Sequence, residues 1–270
     1  MSASYTKKLV LAFAFSEFKT LKGETITTKL DELVKSNKHV IQTNFDTSEG
    51  FDKIQTPKQK KNGKKCLHTE YKANDKLKDQ LIERCDQKLL YCNQYSRVHL
   101  ELTISGHSGP YSNKILSNPT SINHIANSLS IANVFGEVCT HYKEKYPNLT
   151  TSVKTTQCYG ALGKSNNEKM VKAKCLFSSK HSRKDIDNLS SQSPLNNLVQ
   201  AVNKQYTEKV DKAKGAFTTS YGIVNNNQKT SLDMKSKKDR GIVVYKKNQT
   251  PIQPTKLLPQ RKQQEPNRLI

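Results

Sequence analysis

Several residue types and features are scarce or absent in this sequence. It has no tryptophan, only three methionines and an aromatic content of 7%. No apolar run approaches the roughly 18 residues that a membrane-spanning helix needs, so no transmembrane segment is expected. The cysteines show no compact disulfide framework for a chain of 270 residues, which argues against a small disulfide-stabilised secreted protein.

Acidic residues are also few. The chain has 23 Asp and Glu against 45 Lys and Arg, which gives a net charge of +22. This surplus predicts either a solvated lysine-rich surface or contact with something acidic: nucleic acid, an anionic membrane surface or an acidic protein. Two stretches concentrate the charge, KQKKNGKK at 58–65 and a basic tail after residue 224. These are the expected contacts for an acidic partner, although no recognisable nucleic-acid-binding motif accompanies them.

The amino-terminal stretch mimics a secretory signal. Lys7 and Lys8 precede the short apolar run LVLAFAF, which contains a small-x-small pattern at 12–14. The run is at the lower limit for a signal peptide and Glu17 follows closely, so we interpret it as a first, buried strand. We therefore expect a cytoplasmic protein, or an effector that is exported by a non-classical route.

Apolar periodicity predicts alternating strands and helices. Strands are expected at 8–16, 39–45, 97–104, 149–157 and 215–224, helices at 26–34, 75–94 and 121–146, and an exposed loop at 46–74. This order is typical of an α/β fold, and we predict a three-layer sandwich with a mostly parallel central sheet over residues 1–224. Residues 225–270 are expected to form a basic, partly disordered tail, with one isolated strand near 241–245.

The stretch RVHLELTISGHSGP at 97–110 is the most informative part of the chain. Its apolar residues alternate with polar ones, as in a strand, and two glycines and Pro110 then end the strand. His107 therefore follows the carboxyl end of a strand, which is where open α/β sheets bind ligands.

A second reactive side chain follows the next predicted strand. The segment 149–157 runs directly into Cys158. If the two strands are parallel neighbours, His107 and Cys158 face the same crevice. An imidazole can take the proton of a thiol, whose thiolate is the nucleophile. The backbone amide of Cys158 and one from Ser108 or Gly109 would then stabilise an oxyanion.

These two motifs resemble the clan CD cysteine peptidases, which include caspases, clostripain, gingipains and legumain. HLELTISGHSG at 99–109 and TSVKTTQCYGAL at 151–162 carry the resemblance. It implies a caspase-haemoglobinase-like fold and a cysteine endopeptidase that works through a thioester, with His107 as base, Cys158 as nucleophile and no cofactor. Ser108 or Gly109 would lend an oxyanion amide. The chain has His-Ser-Gly where the family has His-Gly, so the glycine is displaced by one residue.

The substrate of such an enzyme would be a protein or a peptide. No motif of the family's specificity pocket is present. Glu17, after the first strand, and Asp46, after the second, stand where such pockets gather side chains, and they are the candidates for substrate binding.

Other functions are compatible with parts of the sequence. GHSGP at 106–110 nearly matches the nucleophile elbow G-x-S-x-G of serine hydrolases, with Ser108 as nucleophile, but Pro110 replaces the last glycine. A basic, non-enzymatic binding protein is the second alternative. No metal site is expected, because Cys66-x-His68 and the gap between Cys85 and Cys92 match no usual ligand spacing.

Overall fold

The computed structural model describes residues 6–19, 25–28, 39–59, 65–94, 96–109, 111–118, 121–157, 159–162, 182–185, 192–216, 223–224 and 242–246. In chain order the strands are β1 (Thr6–Ala14), β2 (Phe18–Lys19), β3 (Thr25–Thr28), β4 (Val40–Asn44), β5 (Phe51–Gln59), β6 (Lys65–Ala73), β7 (Arg97–Ile104), β8 (Lys114–Asn118), β9 (Ser121–Asn127), β10 (Thr150–Thr155), β11 (Ser182–Asp185), β12 (Lys212–Ala216), β13 (Ile223–Val224) and β14 (Ile242–Lys246). The helices are α1 (Asp75–Leu89), α2 (Ser128–Lys145) and α3 (Pro194–Gln205).

A mostly parallel sheet forms the centre of the fold. It has seven strands in the order β11-β14-β12-β10-β7-β1-β4. The five strands from β12 to β4 are parallel to one another, whereas β14 is antiparallel to β12. The predicted α/β class and the mostly parallel central sheet are confirmed, as are the strands expected at 8–16, 39–45, 97–104 and 149–157.

The strand sequences explain these positions. In β1 every residue from Leu9 to Ala14 is buried, as expected of a strand covered on both faces. In β7 the side chains of Val98, Leu100 and Leu102 are fully buried, whereas His99 and Glu101 alternate with them on the opposite face. One face of this part of the sheet is therefore apolar and the other is polar.

The three described helices cover one face of the sheet. Helix α1 packs on α2, α2 on α3, and α3 on β10 and β12. Right-handed crossovers account for this arrangement, because the chain moves in one direction across the sheet from β4 to β7, β10 and β12. Gly136 lets α2 and α3 approach closely, since a Cβ atom there would lie 2.6 Å from the Val202 oxygen. The second helical layer of the predicted sandwich stays a prediction.

Three predicted segments differ from the structure. The loop expected at 46–74 contains a β-hairpin of β5 and β6, the first residues of the helix expected at 121–146 form β9, and 25–28 is a strand where a helix was expected to start. β5, β6, β9 and β8 form a second sheet, and β13, β3 and β2 form a third. The sequence does not predict this hairpin, because only a few of its side chains reach the core, Phe51 and Tyr71 among them.

The tail contributes to the central sheet. Strand β14, which lies beyond the predicted boundary at residue 224, pairs with β12 and with β11. The single late strand expected at 215–224 is divided between β12 and β13. The remaining residues of the predicted tail, and residues 60–64 of the lysine-rich stretch 58–65, lie outside the described residues.

Candidate active site

The carboxyl ends of β1, β4, β7 and β10 share one edge of the central sheet, because these strands are parallel. Across the sheet the parallel strands stand in the order β4-β1-β7-β10-β12. The chain first moves from β1 to β4 and then moves in the opposite direction through β7, β10 and β12, so the topological switch point lies between β1 and β7. Open α/β sheets bind ligands in the crevice outside this point. Directly beyond it, the amide of Ser105 donates to the Phe13 oxygen at 2.9 Å.

His107 lies at this edge, just after β7. Its backbone is fixed by two hydrogen bonds with Leu116 of β8: the His107 amide donates to the Leu116 oxygen at 3.1 Å, and the Leu116 amide donates to the His107 oxygen at 2.8 Å. Gly106 makes the turn that leads there, with a φ of 152°. The residue is 8% exposed. His107 therefore follows the carboxyl end of a strand, as the sequence predicted.

The end of β10 is joined to the end of β7. The Thr156 amide donates to the Ile104 oxygen at 3.0 Å, and the hydroxyl groups of Ser105 and Thr156 lie 2.7 Å apart. Both side chains are buried, at 3% and 6% exposure. A buried hydrogen bond is costly to leave unmade, so this pair holds the two strand ends in register.

The next residue, Gln157, also joins the two segments. Its Nε2 atom donates to the Ser112 oxygen at 3.0 Å, and its side chain is fully buried. Cys158 itself lies outside the described residues, as does Pro110. Gln157, the described residue just before Cys158 in the sequence, thus lies next to the loop that follows His107.

The loop after His107 is held by its own hydrogen bonds. The Ser108 hydroxyl is 3.2 Å from the Gly109 oxygen and 3.1 Å from the Ser112 oxygen, and it can donate its one hydrogen to either of them. In the described part of the chain, no imidazole is hydrogen-bonded to this hydroxyl. Ser108 is therefore placed as a loop-stabilising residue. Gly109 is not required for packing, because nothing lies within 4 Å of where its Cβ would be.

Backbone strain is concentrated at the same edge. Among the described residues, the non-glycine residues with positive φ are Tyr111 (60°), Tyr159 (57°) and Gln192 (65°). Tyr111 follows β7, Tyr159 follows β10, and Gln192 comes just before the Ser193 cap of α3. For a residue with a Cβ atom, this backbone conformation costs about 1–2 kcal/mol. Such strain tends to occur at functional sites, where the surrounding structure enforces it.

The two carboxylates proposed for substrate binding are at the same edge. Glu17 is exposed and follows β1. Asp46 follows β4, and its carboxylate accepts hydrogen bonds from the amide of Ser16, at 2.9 Å, and from the Ser16 hydroxyl. Burial and the nearby Asp46 charge raise the pKa of Tyr71. Asp46 thus links the ends of β1 and β4, and the substrate-binding role of both residues stays a prediction.

Two of the other cysteines, Cys85 and Cys139, are not suited to nucleophilic chemistry. Cys85 and Cys139 are fully buried core residues of α1 and α2. Burial raises the pKa of Cys85 to about 12 and that of Cys139 well above its ordinary value. Because only the thiolate is an effective nucleophile, these two thiols are inert at neutral pH.

No protein-family model matches this chain, and no curated protein matches it significantly. In the described residues, no helix is long and apolar enough to cross a membrane. The same residues contain no group of three or more His, Cys, Asp or Glu side chains placed to hold a metal ion.

Sequence reasoning missed the residues that hold the site together. Ser105, Thr156 and Gln157 are polar residues close to His107 or Cys158 in the sequence. A polar residue at the end of a strand is common, so it carries no sequence signal. Their role becomes visible only when β7 and β10 are known to be neighbours.

Proposed function

We propose that this chain is a cysteine endopeptidase of the clan CD type, in which His107 is the general base and Cys158 the nucleophile. The observation that carries the proposal is the junction between the ends of β7 and β10, where Thr156 and Gln157 bind the segment 104–112. The residue that follows Gln157 is Cys158, and the segment it binds contains His107.

The proposed chemistry needs only groups of this chain and water. The imidazole takes the thiol proton, and the thiolate adds to the scissile carbonyl carbon, which gives an oxyanion. The carbon–nitrogen bond then breaks, the amine leaves with the proton from the imidazolium, and a thioester remains. Water, deprotonated by the imidazole, hydrolyses the thioester, which releases the acid product and restores the thiol.

Two further features support this proposal. The strand order puts His107 at the switch point of the sheet, where α/β proteins bind ligands. Strained residues, Tyr111 and Tyr159, follow both strands at this edge. A caspase-haemoglobinase-like arrangement of three layers is part of the same proposal. The oxyanion amides would come from Cys158 and from Ser108 or Gly109.

Hydrolysis of a peptide mixture, followed by mass spectrometry, tests the proposal without assuming a cleavage specificity. We expect C158A to abolish cleavage and H107A to lower its rate by about 10²- to 10⁴-fold, the range of a general base. C92A, which changes a half-buried cysteine outside the site, should keep the activity, and S108A, which removes a hydroxyl but keeps the backbone amide, should still cleave. Full activity of C158A would refute the proposal, and its combination with an inactive S108A would favour a serine hydrolase.

Alkylation by iodoacetamide provides a test that does not require a substrate. A neighbouring imidazole increases the thiolate fraction of Cys158 near neutral pH. We expect Cys158 to react at least tenfold faster in the wild type than in H107A at pH 6.5. The control is H124A, which removes an exposed histidine outside the site and should react like the wild type. Equal rates in the three proteins would mean that His107 does not activate the thiol.

A further inference from the structure

The face of the central sheet opposite the helices is polar. Strand alternation and register place the following side chains on it, which together we call the polar sheet face: Lys8, His99, Glu101, Thr150, Ser152, Lys154, Lys212 and Lys214. Parallel sheets are usually covered by apolar contacts on both faces. Charged side chains in the middle of such a sheet therefore require an explanation.

Hydrogen bonds confirm that these side chains share one face. The two ring nitrogens of His99 lie 2.9 Å from the Thr150 and Ser152 hydroxyl oxygens. The Lys8 ammonium donates to the Glu101 carboxylate at 2.7 Å. The Ser152 hydroxyl is 3.4 Å from the same carboxylate. The carboxylate is thus already engaged from two neighbouring strands.

Positive charge exceeds negative charge on this face. Four lysines, one from β1, one from β10 and two from β12, surround the single carboxylate of Glu101. Among the described residues, Lys212 and Lys214 have no carboxylate within salt-bridge distance. Burial and the Lys212 charge lower the pKa of Lys214. The carboxylate of Asp211, the residue before Lys212, accepts a hydrogen bond from the Thr151 amide at 2.7 Å.

The topology explains why described helices do not cover this face. The connections from β7 to β10 and from β10 to β12 carry α2 and α3, which both lie on the other side of the sheet. Lys8, Thr150 and Lys212 are exposed at the amino ends of their strands. These residues are at the end of the sheet away from His107.

We propose that the polar sheet face binds double-stranded nucleic acid through its phosphates. Ammonium groups are usual donors to phosphate oxygens, and the exposed Lys8 and Lys212 present them from two strands of this face. The Ser152 hydroxyl is buried and both ring nitrogens of His99 are already paired, so the lysines are the proposed phosphate contacts. The face as formed by β1, β7, β10 and β12 contains no phenylalanine, tyrosine or tryptophan. Binding of single strands commonly relies on stacking of bases on aromatic rings, so the rigid phosphate backbone of a duplex fits better. This interaction is independent of the proposed peptidase chemistry.

Fluorescence anisotropy with a labelled 20-base-pair DNA duplex (about two helical turns) tests the proposal on the full chain. We expect a Kd of about 10⁻⁶ to 10⁻⁴ M at physiological salt, the range of sequence-independent binding, and tighter binding at low salt. K212Q/K214Q should weaken binding at least tenfold and reduce the slope of log K against log salt by about 2. The matched control K76Q/K88Q removes two exposed lysines of α1, on the helical side, and should bind as the wild type does.

Several results would overturn the proposal. The proposal fails if K212Q/K214Q binds the duplex as tightly as the wild type, if K76Q/K88Q loses as much affinity as K212Q/K214Q, or if the wild type does not bind the duplex. If the wild type bound single-stranded DNA, or poly-glutamate of the same charge, as tightly as the duplex, the assignment of duplex nucleic acid as the ligand would be wrong. Thermal unfolding of both variants checks that they are folded, and K212A alone, at an exposed position, gives a second measure if the double variant is unstable.

Discussion

The hydroxyl oxygens of Ser105 and Thr156 lie 2.7 Å apart in the interior and join the ends of β7 and β10. This contact relates two positions that are far apart in the sequence and adjacent to the two proposed catalytic residues. It is formed at the switch-point edge of the sheet, immediately before the segments that carry His107 and Cys158. The geometry of any reaction at this edge therefore depends on it.

Removal of one of these hydroxyls should impair both stability and catalysis. We expect T156V to lose about 1–3 kcal/mol of unfolding free energy, because the Ser105 hydroxyl is left buried without this partner. The double variant S105A/T156V should lose less than the sum of the two single variants. The rate constant kcat of the proposed peptidase should fall with little change in KM.

A matched control separates the two effects. Thr140 of α2 donates its hydroxyl to the Gln205 oxygen at 2.8 Å, away from the strand ends. T140V should lower stability by a similar amount and leave kcat unchanged. If T156V and T140V have the same kcat, Ser105 and Thr156 act on folding alone.

The buried cysteines should be protected from alkylation. Because burial raises the pKa of Cys85 to about 12, the thiolate of this residue is scarce at pH 8. Cys139 should behave in the same way. We expect mass spectrometry to find both unmodified in the native protein after complete modification of accessible thiols, and both modified in urea. Rapid native modification of either one would contradict the described packing of α1 against α2.

The environment of His99 predicts a loss of stability in mild acid. Burial, and then the Lys8 charge, lowers the pKa of His99. The unfolded chain therefore takes up this proton first, near pH 6.5, and stability falls as the pH decreases from there towards the lower folded-state pKa. Glu101 does not add to this effect above about pH 4.3: burial raises its pKa, but the hydrogen bond and charge of Lys8 outweigh burial and lower it.

Urea unfolding at pH 8 and pH 5 measures this dependence. The wild type should lose unfolding free energy between the two values, and H99Q should lose clearly less. The same loss in both proteins would assign the pH dependence to other groups.

Gly136 should not tolerate a side chain. In G136A the new methyl group would meet the Val202 oxygen at 2.6 Å and the Gln205 Cβ at 2.8 Å, so α2 and α3 would have to separate. We expect a loss of about 1–3 kcal/mol, although alanine favours helices over glycine. G109A, where no atom lies within 4 Å, is the control and should be close to neutral in thermal unfolding. An equally stable G136A would show that the helices can adjust.

Much of the central sheet could be predicted from the sequence. The continuous apolar run of β1 and the alternation in β7 are strong local signals, because burial on two faces or one imposes them directly. The helical spacing of Leu77, Leu81 and Cys85 likewise predicted α1. By contrast, β5 and β6 have mostly polar, lysine-rich sequences, and only pairing with each other and with β9 makes them strands. Such pairing depends on residues distant in the chain.

The sequence by itself determined that His107 and Cys158 each follow a strand-forming segment, because apolar periodicity and glycine are local properties of the chain. Only the tertiary structure decided that β7 and β10 are neighbours, that Ser105, Thr156 and Gln157 join their ends, and that β14 enters the same sheet. The polar sheet face also emerged only there. Four lysines that are scattered along three strands become a single surface because register, which no local pattern encodes, aligns them.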